Sequence, residues 1–363
     1  KYIMPDNNIE WGQGGVNNNN DWGKAKANSA NSFGAVYDSS PSGDTNIVGG
    51  TTLSAAFNYS ASAYCQDASD PTPTITGTSG GTFTAAEKYF PFQMQFEVAP
   101  NAEKTITIPK TVGSSYTVDW GDGTTTTESG SANGTDISHT YNPGGVGTTE
   151  NPIVSIGAAS DTGQFTMFKF NNGGSKSDLL DVLQWGDIVF HDLYLMFQGC
   201  NNVNFQISAT DAPTFANTTS LQYLSYAFNG ATYFNSDINH WDVSKLTAQA
   251  RNVFDNATNF NQNLSSWVVK PTYMPYFFIG TSMSGDSYTD TLVGWAVTVY
   301  KNSGTYNVNF SASYRTFIGT KTSDAASGQT YATKYGSDWT ATGWTTAQDA
   351  KNYLTTTAGW SIN

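Results

Sequence analysis

Three aromatic positions recur at one fixed spacing, and that spacing limits what the chain can fold into. Phe228 and Phe254, Phe234 and Phe260, and Trp241 and Trp267 each stand 26 residues apart. Their flanks repeat with them: residues 227–235 (AFNGATYFN) return as 253–261 (VFDNATNFN), and 238–243 (INHWDV) as 264–269 (LSSWVV). An earlier copy, Leu195-Met196-Phe197-Gln198-Gly199-Cys200, precedes the second by 31, and Leu292-Val293-Gly294-Trp295 keeps the end of a later one. A unit this short cannot cover its own apolar side, so neighbours must stack and bury a shared ladder of Phe, Ala and Trp. The aromatic stripe therefore reads as core. The Asn residues at the corners read as turn formers, because their side-chain amides can bond nearby backbone.

A period of 20 to 29 residues with apolar positions at fixed offsets predicts a leucine-rich-repeat-like solenoid over residues 161–300. Residues 89–160 carry a different pattern. Residues 92–98 (FQMQFEV) alternate with period two, 105–108 (TITI) repeat the alternation, and 116–120 (YTVDW) follow, each run bounded by Gly, Pro or Asn. Such runs predict a small antiparallel sandwich. Residues 301–363 read as an insertion followed by a C-terminal cap. The first 88 residues form a low-complexity arm, with the run 17–20 (NNNN) and many Gly, Ala and Ser. An arm of this kind has little core of its own and is expected to dock on neighbours. The fold class that follows is mainly β: arm, sandwich, short solenoid, cap.

Composition restricts function. Lys and Arg number 16 and Asp and Glu 29, so the net charge is −13 and only 12% of the 363 residues are charged. A duplex-binding surface needs clustered cations to displace counterions from phosphates, so nucleic acid is excluded as an expected partner. No apolar run approaches the ~18 residues of a membrane span. Solubility falls to neutral Asn, Ser, Thr and Gly, while 10 Trp, 20 Tyr and 21 Phe supply the buried area. Lys at position 1 points to a removed leader or to a start inside a longer product. Cys65 and Cys200 are too few for a disulfide framework or a thiolate zinc site, and whether they bridge is left open.

Residues 118–124 (VDWGDGT) followed by 138–141 (SHTY) resemble the PKD-type domain, an immunoglobulin-like extracellular sandwich marked by a WGDG turn and a later HxY strand start. The Asp-Gly pair suits a tight turn, with Asp122 accepting backbone N–H bonds and Gly123 free to take positive φ. Asp119 and Asp122 offer few oxygens to a calcium ion that takes six to eight, so turn chemistry is the reading preferred for both. Residues 181–188 (DVLQWGDI), 209–213 (ATDAP), the Phe-Asn units and the closing 358–362 (AGWSI) resemble the BspA-type, or Mycoplasma-type, leucine-rich-repeat surface proteins. That resemblance implies surface display and binding to other surfaces, and no reaction. The repeats are few, and Trp-Asp-Val-Ser is complete only at residues 241–244.

No catalytic constellation emerges. Residues 77–81 (GTSGG) fit G-x-S-x-G, but that elbow needs a strand before it and a helix after it, and a Gly/Thr loop surrounds it here. The three histidines, His139, His191 and His240, lie on unrelated segments without metalloprotease or phosphate-loop spacing. The expectation is a non-enzymatic extracellular protein without cofactor, metal or catalytic residues, and with binding residues unknown. Its partners are other copies of itself or an envelope or virion scaffold reached through residues 1–88, and a glycan or host-surface protein held by exposed Tyr and Trp. A phage virion surface protein and a secreted carbohydrate-binding or carbohydrate-active protein are the alternatives. The expected place is the extracellular, cell or virion surface.

Overall fold

A computed structural model of the chain describes residues 90–113, 116–128, 134–157, 165–217, 222–270, 273–302, 308–311 and 315–362, together with four short strands in the first 89 residues. The chain divides into two compact units, Lys1–Tyr89 and Phe90–Asn363. In the first, β1 (Trp11–Gly12) pairs with β2 (Ala35–Val36), and β3 (Thr74–Thr76) pairs antiparallel with β4 (Thr82–Thr84). The G-x-S-x-G string and Cys65 lie outside the described residues.

The second unit is mainly β. β5 (Phe92–Phe96) buries Phe92, Met94 and Phe96, as its alternation requires. It sits inside a six-stranded sheet with β7 (Tyr116–Asp119), β8 (Thr125–Glu128), β10 (Ile153–Ile156), β12 (Leu179–Gln184) and β14 (Gln206–Ile207), in the order β14-β12-β5-β10-β7-β8. β6 (Lys104–Gly113), β9 (Thr135–Tyr141) and β11 (Phe165–Met167) make a second sheet in the order β11-β6-β9. Neither sheet closes on itself. Ile106, Ile108, Ile137 and Tyr141 of the small sheet and Phe92, Tyr116, Val118 and Val154 of the large one belong to a single apolar core. Phe165 joins them, its ring 5.2 Å from Tyr116 and 6.4 Å from Phe92.

β11 and β12 follow residue 160, yet both complete sheets begun before it. β12 pairs antiparallel with β5 and parallel with β14. From there parallel pairing takes over. β13 (Val189–Phe190) pairs with β15 (Thr214–Phe215), and β16 (Tyr273–Met274), β17 (Asn309–Phe310) and β18 (Ser361–Ile362) pair in sequence order.

Between them the chain forms stacked irregular turns. In one, the N–H groups of Leu193, Leu195, Phe197 and Gly199 donate to the carbonyls of Tyr223, Ser225, Ala227 and Asn229. In the next, Leu224, Tyr226, Phe228 and Gly230 donate to Gln249, Arg251, Val253 and Asp255, and then Ala250, Asn252, Phe254 and Asn256 donate to Tyr273, Pro275, Phe277 and Ile279. Alternate N–H groups thus join neighbouring turns, while many of the intervening ones bond back within their own turn, as Ala227 does to Leu224 and Ala231 to Phe228. Backbone polarity is thereby satisfied without long strands.

The rings follow this ladder. Phe197, Phe228, Phe254 and Phe278 stack at centroid distances of 5.3, 5.3 and 5.8 Å. Phe234 and Phe260 form a parallel column beside them, 4.3 Å from Phe228 and 4.0 Å from Phe254. Trp267 and Trp295 each send the indole N–H back to the preceding turn, to the carbonyls of Ile238 and Leu264 at 2.9 Å. The expected aromatic core is therefore present, and two of its indoles also bond from one turn to the next.

Residues 292–295, read from sequence as the end of another repeat, lie instead in helix α1 (Gly285–Lys301). Ser284 caps it by accepting from the Ser287 N–H, Asp286 occupies the first turn and Lys301 the last, so local capping and charge favour helix. Trp295 still keeps its place on the ladder. Gly294 makes this possible: a Cβ there would lie 2.2 Å from the Ser265 carbonyl oxygen. Beyond α1, the short helices α2 (Tyr331–Tyr335) and α3 (Ser337–Thr340) and then α4 (Ala347–Thr356), with its Thr346 and Asp349 capping box, cover the last turn.

Candidate functional site

Register places side chains on the outside of the stack as firmly as on the inside. The bonds from Leu224 to Gln249 and from Ala250 to Tyr273 put Tyr223, Gln249 and Tyr273 in one column. The equivalent donors Leu195, Tyr226 and Asn252 define a second, continued by Tyr276, and all four adopt left-handed backbone, with φ of 61, 61, 53 and 56°. For residues with a Cβ that conformation costs roughly 1–2 kcal/mol each, so interturn bonding must hold it. Four positions further on, Gly199, Gly230, Asn256 and Gly280 are left-handed again, where Gly and Asn take it cheaply.

These columns carry tyrosines. Tyr276 and Tyr273 are 51% and 42% exposed, and Tyr194, Tyr223 and Tyr226 are half-buried. Tyr194 and Tyr223 meet at 5.7 Å across adjacent turns. Two cations lie against the rings: Lys169 Nζ is 4.8 Å from the Tyr194 centroid, and the Arg251 guanidinium is 5.2 Å from that of Tyr226. Burial holds the Lys169 ammonium below the usual lysine range, with Asp192 pulling it partly back. Neither cation forms an ion pair among the described residues, whose pairs use Lys104, Lys110, Lys301, Lys321, Lys334 and two histidines. The face can stack rings, donate and accept through phenol hydroxyls and amides, and pair anions.

Exposed Tyr and Trp were the binding residues expected from the repeats. The structure separates the two. Trp120, Trp185, Trp241, Trp267, Trp295, Trp339 and Trp360 are all buried and Trp344 is partly so, leaving Tyr to carry the face. A signal for it exists in the sequence: Tyr223-x-x-Tyr226 returns as Tyr273-x-x-Tyr276 fifty residues later, two turns on.

The WGDG segment forms a turn between β7 and β8. Asp119 accepts from the Gly121 N–H at 2.9 Å and Asp122 from the Thr124 N–H at 3.0 Å. Gly121 takes φ of 79° where a Cβ would lie 2.5 Å from the Ile153 carbonyl oxygen. His139 stacks on Trp120 at 5.2 Å and reaches Asp122 Oδ2 at 2.7 Å, and the Tyr141 hydroxyl donates to the Trp120 carbonyl. Burial pushes the Asp122 carboxyl up, but the bonds from Thr124 and His139 outweigh it and hold the group below the usual range. Both carboxylates are thus engaged in turn chemistry. His191 contacts Asp192 at 3.2 Å, and His240 is exposed in a loop 3.4 Å from the Asp211 carbonyl, so the three histidines do not converge. Among the described residues no three His, Cys, Asp or Glu side chains gather where a metal could sit. Cys200 is a buried free thiol whose pKa burial drives well above its ordinary value.

One buried polar cluster was not foreseen. Asp290 on α1, 1% exposed, is paired by Lys321 at 2.7 Å, by the Tyr331 hydroxyl at 2.6 Å and by the Ala325 N–H at 2.9 Å. Asp324 is paired by Lys334 at 2.6 Å and by Asn263 at 3.0 Å. Every partner is internal, so the cluster locks the cap onto the last turns. No described helix is long and apolar enough to cross a membrane. No curated protein and no solved structure matches the chain. The span from β11 into the start of α1, residues 165–290, which holds the stacked turns and the tyrosine face, matches the family described as Mycoplasma protein of unknown function, DUF285.

Proposed function

We propose that this protein is a non-enzymatic extracellular surface component that recognises partners through the outer face of its stacked turns. In this reading the two sheets are a PKD-like, immunoglobulin-type sandwich and the turns a short leucine-rich-repeat-like solenoid. The strand orders and the WGDG–His139–Tyr141 contacts support the first, and the in-register ladder with its columns of Phe supports the second. The match of residues 165–290 to a Mycoplasma family agrees with a Mycoplasma-type surface protein. The observation that carries the proposal is the tyrosine face, on which Tyr273 and Tyr276 are exposed and Tyr194, Tyr223 and Tyr226 half-buried along the stack. Tyrosine supplies large contact area at low entropic cost, which suits recognition. Residues 1–88 serve as the segment that joins copies or anchors the protein.

Immunogold labelling of intact producing cells or particles, together with electron microscopy of the purified chain, tests this reading. Label on the outer surface is the expected result, and label confined to the cytosol refutes it. Filaments or lattices assign residues 1–88 to assembly, whereas dispersed single particles that bind a partner through the turns leave recognition as the main role.

A further inference from the structure

We infer that Lys334 and Asn263 become joined by an intramolecular isopeptide bond that the protein forms on itself, with Asp324 carrying the protons. The bond is independent of what the tyrosine face recognises. It adds a covalent tie between the last stacked turns, which hold Asn263, and the cap, which holds Lys334 on α2.

The observation behind it is convergence on one amide. Lys334 Nζ donates to Asp324 Oδ2 at 2.6 Å, and Asn263 Nδ2 donates to the same oxygen at 3.0 Å. Amine and amide nitrogen are therefore no farther apart than these two bonds allow. Lys334 Nζ also donates to Ser265 Oγ at 3.1 Å, while the Ser265 N–H donates to Asn263 Oδ1 at 2.8 Å. Asp324 and Ser265 thus each hold the amine and the amide at once. Both are buried, the Lys334 side chain is mostly so, and the Tyr335 ring covers its Nζ at 5.4 Å from the centroid. An amine kept beside an acyl carbon in this way reacts as if at very high concentration. The neighbouring Asp290 supplies the contrast: its oxygens meet Lys321, the Tyr331 hydroxyl and the Ala325 N–H, so there the amine faces a carboxylate, whose charge resists attack.

The step balances within these groups. Asp324 takes a proton from the Lys334 ammonium, and the freed lone pair on Nζ attacks Asn263 Cγ. The Ser265 N–H, already on Oδ1, stabilises the oxyanion of the tetrahedral intermediate. Asp324 passes its proton to Nδ2, the Cγ–Nδ2 bond breaks and ammonia leaves. The second proton lost by Nζ follows through Asp324 to the ammonia, which departs as ammonium and leaves Asp324 a carboxylate again. One amide replaces another, so neither oxidant nor cofactor is consumed. Burial pushes the Asp324 carboxyl up, but the bonds from Lys334 and Ser327 outweigh it and hold the group below its usual range. The free amine is therefore scarce, and the bond forms slowly, once per molecule.

Intact-mass spectrometry of the purified full chain, aged for days at neutral pH, followed by peptide mapping, tests this. The expected chain is lighter by one ammonia than its sequence requires, and its digest contains two peptides joined through Asn263 and Lys334. Lys334→Arg keeps the charge beside Asp324 but has no amine to acylate, and Asp324→Asn removes the proton carrier, so both are expected at full mass with no joined peptide. A wild-type chain at full mass, with Lys334 open to trypsin, overturns the inference. So does a missing ammonia without the joined peptide, which assigns the loss to succinimide formation at an asparagine. A joined peptide that persists in Asp324→Asn overturns the role given to Asp324. The wild-type mass needs no variant to fold, and it alone decides whether the bond exists.

Discussion

Truncating Phe254 to alanine tests whether the stack holds together as a ladder. Its side chain is fully buried, and its ring lies 4.0 Å from Phe260, 5.3 Å from Phe228, 5.7 Å from Phe277, 5.8 Å from Phe278 and 6.3 Å from Trp267. Removing a core Phe side chain costs about 3–5 kcal/mol, combining lost transfer energy with the cavity left behind. The backbone ladder keeps the flanking turns apart, so the cavity cannot collapse, and a value near 4 kcal/mol is expected. Against a total stability of about 5–15 kcal/mol that is a large fraction. In a stack, each turn is stabilised by its neighbours, so the loss falls on the interfaces with both the preceding and the following turn. Phe228 and Phe254 are 4° from parallel, and a double-mutant cycle should return coupling of about 1 kcal/mol between them. Phe254 and Ile137, which sits in the small sheet, should be additive within about 0.5 kcal/mol. Urea unfolding followed by tryptophan fluorescence is suitable, since eight of the ten Trp lie after residue 90. A loss below about 1 kcal/mol, or no coupling between the stacked pair, would refute the ladder as the source of stability.

Gly294→Ala should destabilise by at least about 2 kcal/mol through overpacking against Ser265, even though alanine favours the helix by about 1 kcal/mol; a rise in melting temperature would contradict the close approach. Asp290→Ala should cost about 1–3 kcal/mol because it leaves the buried Tyr331 hydroxyl and the Ala325 N–H without their acceptor while Lys321 keeps Asp286 at 2.9 Å, and a neutral outcome in urea unfolding would show the cluster to be dispensable. Asp122→Asn should cost about 1–2 kcal/mol at pH 7. Because the folded carboxyl titrates below its ordinary value, its contribution is present above the unfolded pKa of about 3.9 and is lost as pH falls through the folded one. Wild type and variant should therefore converge in acid, and a constant gap down to pH 2 would exclude this origin. In a Cys65→Ser background, Cys200 should react with a thiol reagent only at the rate of unfolding, whereas immediate labelling would contradict its burial.

Periodicity in the sequence was enough to identify the stack, because apolar residues at fixed offsets have only each other to pack against, and Phe228, Phe254 and Phe260 are buried where that logic puts them. Alternation did the same for β5, and the Asp-Gly pair for the β7–β8 turn, since both signals are local. Residues 292–295 show the limit. Their likeness to a repeat is real in the position of Trp295, but capping by Ser284 and the charges at each end made a helix of the segment.

The contacts that depend on register were not legible. Nothing in the order of residues says that β12 returns to pair with β5, or that Lys321 and Lys334 neutralise Asp290 and Asp324 across long stretches of chain. The tyrosine face belongs to the same class. Its four-residue motif is written twice in the chain, but which rings reach solvent depends on how the interturn bonds lay one turn on the next. Sequence by itself determined which residues needed burial, because hydrophobicity and period are properties of the chain. Tertiary structure decided which were left outside and beside what, because exposure and pairing depend on how one turn lies on the next.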